Sequence, residues 1–228
     1  MTDSKPGSHS GSVTLHALGN VLIGLAIGLV GYYAVTNLFA TTQQKLLLAE
    51  LPPAIASELP PEDSSPAPTM DFEGWEDQDK AYWDSLEEGE PFGRLVAPKM
   101  SLDAVVVKGT GRSDLTKGPG WITWTDLPGP TGNCGISGHR TTYGAPFRRL
   151  DRLQKGDTVR FYSPYREYTY SVKRIFAVRP DQVEVVQSTE KPMLTMTACH
   201  PPYSARLRLV AQSELVAVRT LKSSETGE

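Results

Sequence analysis

The stretch FGRLVAPKMSLDAVVVKG, residues 92–109, contains two short apolar runs separated by a Pro-Lys-Met-Ser break. Runs of this length, rich in β-branched residues and bounded by glycine, proline or aspartate, are typical of β-strands. The pattern recurs in GNCGISGHR, DTVRFYSP, YTYSVKRIFAVRP, PMLTMTACH and RLRLVAQSELVAVR. No helical pattern longer than about two turns lies between them. The sequence therefore predicts an all-β barrel or sandwich over residues 91–222, followed by a tail at 223–228.

The N-terminal region has a different character, because residues 6–44 contain no Asp, Glu, Lys or Arg. Within it, LHALGNVLIGLAIGLVGYYAVTNLFA at residues 15–40 would form a helix longer than the roughly 30 Å hydrocarbon core of a bilayer. This predicts a short cytoplasmic tail at 1–14 and a transmembrane helix at 15–40. A cleaved signal peptide is the alternative, although its apolar region is normally shorter and follows basic residues.

Charge divides the chain into two parts. Residues 1–90 carry 3 Lys and Arg against 14 Asp and Glu, whereas residues 91–228 carry 20 against 12. A basic domain can meet nucleic acid, anionic lipid or an acidic envelope polymer. A single span would place this domain outside the plasma membrane, so nucleic acid is not its expected partner.

Residues 41–90 are rich in proline and acid, as in LPPAIASELPPEDSSPAPTM at 51–70. Such composition is typical of an extended linker, so we expect a stalk between the membrane and the β-domain. Within it, DQDKAYWDSLEE at 77–88 could form one short amphipathic helix that caps the domain or occupies its groove.

Cysteine and histidine are scarce. The cysteines are Cys134 and Cys199, and none of the four histidines has the close paired spacing of a zinc site. No metal and no cofactor are therefore predicted. A disulfide between Cys134 and Cys199 is an open alternative for an extracytoplasmic domain.

The segment TMTACHPPYSARLRLV, residues 195–210, places Cys199 beside His200. Successive side chains on a strand point to opposite faces, so His200 is a poor partner for Cys199. His139, at the end of the GNCGISGHR strand, is the better candidate for an acid or base. The alternative for His139 is an ordinary surface residue.

Two arginines follow the cysteine. Arg206 and Arg208 alternate with leucines, which predicts that both arginines share one strand face. A guanidinium stays charged and presents several N–H donors, so it suits an oxyanion formed by cysteine attack on an acyl carbon. Any strand with an exposed basic face would show the same pattern.

The combination of GPGWITWTDLPGPTGNCGISGHR at 118–140 and TMTACHPPYSARLRLV at 195–210, behind one membrane span, resembles the sortases. The chain is most similar to the class E sortases of actinobacteria, from about Gly93 to Val218. The resemblance implies an eight-stranded β-barrel with short helices. It also implies transpeptidation at an LPxTG-like sorting signal of surface proteins, or an LAxTG-like signal for class E.

The resemblance implies a role for each candidate residue. Cys199 would be the nucleophile that cleaves the signal between Thr and Gly through a thioacyl intermediate, and His139 would be the general acid and base. Arg208 would stabilise the oxyanion, with Arg206 as the fallback. The acceptor would be an amine of a peptidoglycan precursor or a pilin lysine.

Substrate contacts are expected from two segments. Thr197 and Ala198 precede the nucleophile, and Ala198 stands where the family usually has threonine, which puts the preferred signal in doubt. The segment RIFAVRPDQVEVVQSTEKP at 174–192 corresponds to the loop that helps to select the signal. Its Val183 and Val185 would line an apolar groove, unless they are core residues.

Three alternatives to a housekeeping sortase remain open. One is a cysteine peptidase or amidase that acts on peptidoglycan with water as the acceptor. Another is a sortase that polymerises pilins. The third is a non-catalytic anchored β-domain that binds an envelope polymer through its basic face.

Overall fold

The computed structural model describes residues 10–56 and 69–221, and within these ranges eight strands close into one barrel. The strands follow the barrel in the order β1, β2, β3, β4, β7, β8, β6, β5. Their bounds are β1 Pro91–Ala97, β2 Leu102–Lys108, β3 Gly120–Trp121, β4 Asn133–Ser137, β5 Thr158–Tyr162, β6 Arg166–Val178, β7 Met193–His200 and β8 Leu207–Thr220. The predicted all-β fold is confirmed, and the short strand β3 is the one that the sequence pattern did not reveal.

Alternation along each strand builds the core. In β7, for example, Leu194, Met196 and Ala198 point into the barrel, while Thr197 and Cys199 lie on the other face. Most pairs of neighbouring strands are antiparallel, but β4 runs parallel to β7. The parallel pair brings the C-terminal ends of β4 and β7 to the same edge of the barrel.

A single long helix, α1, runs over Ser10–Glu50. It is long and apolar enough to cross a membrane. Its side chains are exposed at nearly every position from 15 to 35, and the first buried one is Thr36. The 21 positions from 15 to 35 would span about 31 Å, close to the hydrocarbon thickness of a bilayer.

The predicted stalk at 41–90 is wrong for its first part, because α1 continues past Ala40 and packs on the barrel. Leu47 and Leu51 are buried against β2, and the Gln44 amide donates to the carbonyls of Val105 and Lys117 and accepts from the Val105 N–H. The helix stops just before Pro52 and Pro53, where a short helix α2, Pro53–Ala56, begins. The acidic and proline-rich average of residues 41–90 concealed its helical first ten residues, 41–50, whose buried Leu47 faces the barrel.

The last part of the predicted stalk is also folded. A π-helical turn, Glu76–Lys80, leads into helix α3, Ala81–Ser85, within the region where the sequence allowed a short helix. Trp83 is 1% exposed, stacks on Phe92 and donates its indole N–H to the Phe92 carbonyl at 2.8 Å. The segment is therefore part of the core, since an aromatic ring of this size cannot be buried by a free tether.

An ion pair fixes the same segment from the other side. Asp79 is fully buried and accepts from the Arg166 guanidinium, which also donates to the carbonyls of Asp71 and Glu73. The linker positions 57–68, the first nine residues of the predicted tail at 1–14, and the predicted tail at 223–228 lie outside the described residues.

The structure predicts that Trp83→Ala lowers the free energy of unfolding by about 3–5 kcal/mol, because it removes a fully buried ring from the core. The matched control is Asp84→Ala, one residue further along α3, which removes only the exposed ion pair with Lys80 and should change the free energy of unfolding little. Urea unfolding followed by tryptophan fluorescence and circular dichroism measures both. Equal midpoints for the two variants would mean that α3 is not part of the cooperative unit.

Candidate active site

Cys199 and Arg208 face each other across two neighbouring strands. They are register partners in the antiparallel pair β7 and β8, so their side chains share one face of the sheet. The Arg208 Nη1 lies 3.5 Å from the Cys199 Sγ and also donates to the carbonyls of Ala205 and Leu207. A guanidinium anchored in this way stands within reach of any oxygen that develops charge beside the sulfur.

His139 reaches the same edge from β4. Ser137 is the register partner of Thr197, and the Gly138 N–H donates to the Thr197 carbonyl at 3.0 Å. His139 is two residues beyond Ser137, as Cys199 is two residues beyond Thr197, so both candidates follow the last pair of the parallel ladder. The imidazole is partly buried and lies against the Tyr143 ring, with centroids 5.3 Å apart. Burial lowers the pKa of His139 below its ordinary value of 6.5.

His200 turns away from Cys199. The Arg140 Nη1 lies 2.7 Å from the His200 Nδ1, and because a guanidinium can only donate, this ring nitrogen is an acceptor. Arg140 is itself buried and pairs with Asp151 at 3.1 Å. The ring of His200, the last residue of β7, therefore binds Arg140 on the face of the strand opposite to Cys199.

The two arginines do not share a strand face as the sequence suggested. Strand β8 begins at Leu207, so Arg206 lies in the turn before it, is exposed, and has its backbone N–H bonded to the Ser204 hydroxyl. The alternation predicted from the sequence includes Arg206, which is one residue before the observed start of β8. Of the two, the structure brings Arg208 to the cysteine.

A groove of about 180 Å³ continues from Arg208 along the outside of the barrel. Thr197 is on its floor, and Val183 and Val185 line one wall from a 3-10 helix, Val183–Val186. Ile122 and Trp124 line it from the loop after β3, and Trp124 is 61% exposed. Sequence reasoning missed Ile122 and Trp124. The pattern that could have revealed them is an aromatic residue, Trp124, in a loop rich in glycine and proline.

Ala198 does not belong to this surface. It is 2% exposed and packs in the barrel core, so a substrate contact through its side chain is excluded. Alternation along β7 is the reason, and the same rule that removed His200 from the site also removes Ala198. Its difference from the usual family threonine therefore concerns core packing.

Cys134 is a fully buried core residue. Both cysteines are free, and burial raises the pKa of the Cys134 thiol well above its ordinary value. Cys134 is paired in register with Leu194, five residues before Cys199, which corresponds to about 16 Å along the strand. A disulfide between Cys134 and Cys199 is thereby excluded.

Comparisons with known proteins identify the family to which this barrel belongs. A family model described as the sortase domain matches residues 95–216, more than half of the chain. Sortase D of Bacillus subtilis (strain 168) is 35% identical over 116 residues, covering 50% of this chain and 57% of that protein. Sortase SrtE2 of Streptomyces coelicolor is 31% identical over 161 residues, covering 62% of each. The chain thus spans less than two thirds of the length of these relatives.

A solved structure is also similar. Sortase E1 of Streptomyces coelicolor, crystallised with a tripeptide in its active site, superposes with a TM-score of 0.55 at 25% identity, covering 58% of this chain and 91% of that one. With the closed eight-stranded barrel and a family match over more than half of its length, the chain belongs to the sortase family.

Proposed function

We propose that this protein is a membrane-anchored cysteine transpeptidase that cleaves a sorting signal of the LPxTG or LAxTG type between Thr and Gly. The observation that carries the proposal is the pairing of Cys199 with Arg208 across β7 and β8, with His139 delivered to the same edge by β4. α1 supplies the single span, and the barrel is placed on the outer side, where surface proteins and the cell wall are found.

The roles follow from the chemistry of the three side chains. The Cys199 thiolate attacks the Thr carbonyl carbon, and the carbonyl oxygen becomes an oxyanion to which Arg208 donates. The C–N bond to glycine breaks as His139 gives its proton to the departing amine, leaving a thioester on Cys199. An incoming amine, from a peptidoglycan precursor or a pilin lysine, then loses a proton to His139 and displaces the sulfur.

The groove beside Arg208 suits the apolar part of such a signal. Val183, Val185, Ile122 and Trp124 offer a hydrophobic wall, and Thr197 offers a hydroxyl on the floor. The tripeptide in the active site of the Streptomyces coelicolor relative gives a precedent for peptide binding in this barrel. Both the LPxTG and the LAxTG signal have to be compared.

The test uses the full chain in detergent micelles, under reducing conditions, with LPxTG and LAxTG peptides and a small amine. We expect a thioacyl adduct on Cys199 and an exchanged peptide product, both visible by mass spectrometry. Hydrolysis without exchange, at any amine concentration, would favour a peptidase over a transpeptidase. If neither peptide acylates Cys199, the proposed signal is wrong.

The pH profile of kcat/KM should report His139. The reacting thiolate and imidazolium together hold one titratable proton, so a second proton bound at low pH inactivates the pair, and the imidazole sets this acid limb of the profile. Because burial lowers the pKa of His139, we expect the midpoint of that limb below pH 6.5, with activity lost as the pH falls through it. His200→Ala serves as the control and should leave the midpoint unchanged. A midpoint at or above 6.5 would contradict the assignment.

Arg208→Ala should lower kcat by about 10²–10³-fold, as loss of one strong oxyanion donor does. Arg208→Lys should recover part of this loss, since it restores charge without the planar fork. The matched control is Arg206→Ala, which removes the same charge two residues away and should change kcat by less than about threefold. Steady-state kinetics with the peptide and the amine measure kcat for each variant. Equal losses of kcat in the two alanine variants would contradict the role of Arg208 as the oxyanion donor.

A further inference from the structure

We propose that α1 takes part in the active site as well as in anchoring, because one of its turns holds the loop that positions His139. This inference rests on the proposed function, in which His139 is the acid and base. It concerns residues 143–145, which follow His139 and are called the histidine loop below. Asn37 and Tyr143 are the positioning residues.

The contacts form an unbroken chain from the helix to the imidazole. Asn37, on α1, accepts through its Oδ1 the backbone N–H of Gly144 at 2.9 Å. The adjacent Tyr143 lays its ring against His139, with the planes inclined by 34°. A displacement of the loop would therefore move the ring that covers one side of His139.

The backbone of the histidine loop needs such support. Tyr143, Gly144 and Ala145 all have positive φ, at 50°, 75° and 46°. Two of the three are residues with a Cβ, for which the left-handed region costs of the order of 1 kcal/mol each. Such a conformation persists only where surrounding contacts over-determine it. The helix is one of those contacts, and Ala145 is 5% exposed on the barrel side.

The hydrogen bond from α1 to the histidine loop is made at Asn37. Beyond Ala40 the helix and the loop are separated by a cavity of about 270 Å³, lined by Gln44, Lys117 and Arg149 among others. Further along the described part of α1, the next hydrogen bonds from the helix to the barrel are those of Gln44, which join Val105 and Lys117 and not the histidine loop. Loss of the Asn37 contact is therefore not compensated by packing further along the helix.

A consequence follows for the membrane. The loop contact at Asn37 is two residues past the last of the exposed positions 15–35, so it lies about 3 Å along the helix from the end of the proposed span. The region that positions His139 is thus held at the surface of the bilayer. Activity of the barrel and integrity of the anchor are coupled.

The test compares full-length variants in lipid nanodiscs. Asn37→Ala should lower kcat by about 10- to 100-fold with KM within about twofold, because a misplaced acid affects the chemical step more than peptide binding. Asn37→Asp keeps an acceptor oxygen at the same place and should recover kcat to within about threefold of wild type. Tyr143→Phe keeps the ring contact and should be more active than Tyr143→Ala.

Gln44→Ala is the matched control. It removes three hydrogen bonds that dock the same helix but touches no residue of the histidine loop, so kcat should stay within about twofold of wild type. An unchanged kcat in Asn37→Ala would overturn the proposal. Equal losses in Asn37→Ala and Gln44→Ala would overturn it as well, since helix docking in general would then be responsible.

A second readout does not depend on activity. With ring-¹³C histidine, the His139 resonance should shift in Asn37→Ala and in Tyr143→Ala but not in Gln44→Ala, while the His200 resonance stays in place in all three. Should neither peptide be a substrate, this spectrum still tests whether the helix positions His139. A His139 signal that is indifferent to Asn37 would refute the coupling.

Discussion

Cys199→Ala is expected to abolish the thioacyl adduct and to lower kcat by about 10⁴-fold or more, because it removes the thiol that forms the covalent intermediate. Cys199 is partly exposed beside Arg208, whereas Cys134 is enclosed in the core. Intact-mass spectrometry after incubation with either peptide measures the adduct, and product release gives the rate.

Cys134→Ala is the control for this variant. The change removes the second thiol of the chain and should leave both the adduct and kcat close to wild type, at a small cost in stability. If the Cys199→Ala protein still processes peptide while Cys134→Ala does not, the nucleophile has been misassigned. If both variants keep full function in the cell, the result favours the alternative of a non-catalytic domain that binds an envelope polymer.

His139→Ala should lower kcat by about 10²–10⁴-fold, the usual contribution of a positioned acid and base. His200→Ala should stay within about threefold of wild type, because the ring of His200 bonds Arg140 on the opposite face. The lost hydrogen bond should cost about 1 kcal/mol of stability, which thermal unfolding can detect. The reverse outcome, an inactive His200→Ala and an active His139→Ala, would overturn the assignment of the acid and base.

Much of the barrel could be predicted from local pattern. Runs of β-branched and aromatic residues between turn residues gave seven of the eight strands, since side-chain alternation and turn chemistry are properties of adjacent residues. The exception, β3, is two residues long and depends on pairing with β2 and β4. No local pattern marks so short a strand.

The candidate site shows where local pattern stops being sufficient. Alternation on β7 correctly separated Cys199 from His200 and, applied one residue earlier, would also have placed Ala198 in the core. It could not tell where β8 begins, so it put Arg206 and Arg208 on one face. Strand ends depend on the partner strand and on the turn before it, which the local sequence does not specify.

The residues alone determined the strand content, the apolar span, and the set of cysteine, histidine and arginine from which the chemistry is drawn. Tertiary structure alone decided that Arg208 lies opposite Cys199 in the register of β7 and β8 while Arg206 does not, that residues 41–56 and 69–90 pack on the barrel, and that α1 reaches the histidine loop. Registers and docking contacts join residues far apart in the chain, such as Asn37 and Gly144. Their free energy depends on complementary surfaces that exist only once the barrel has closed, so no window of sequence contains them.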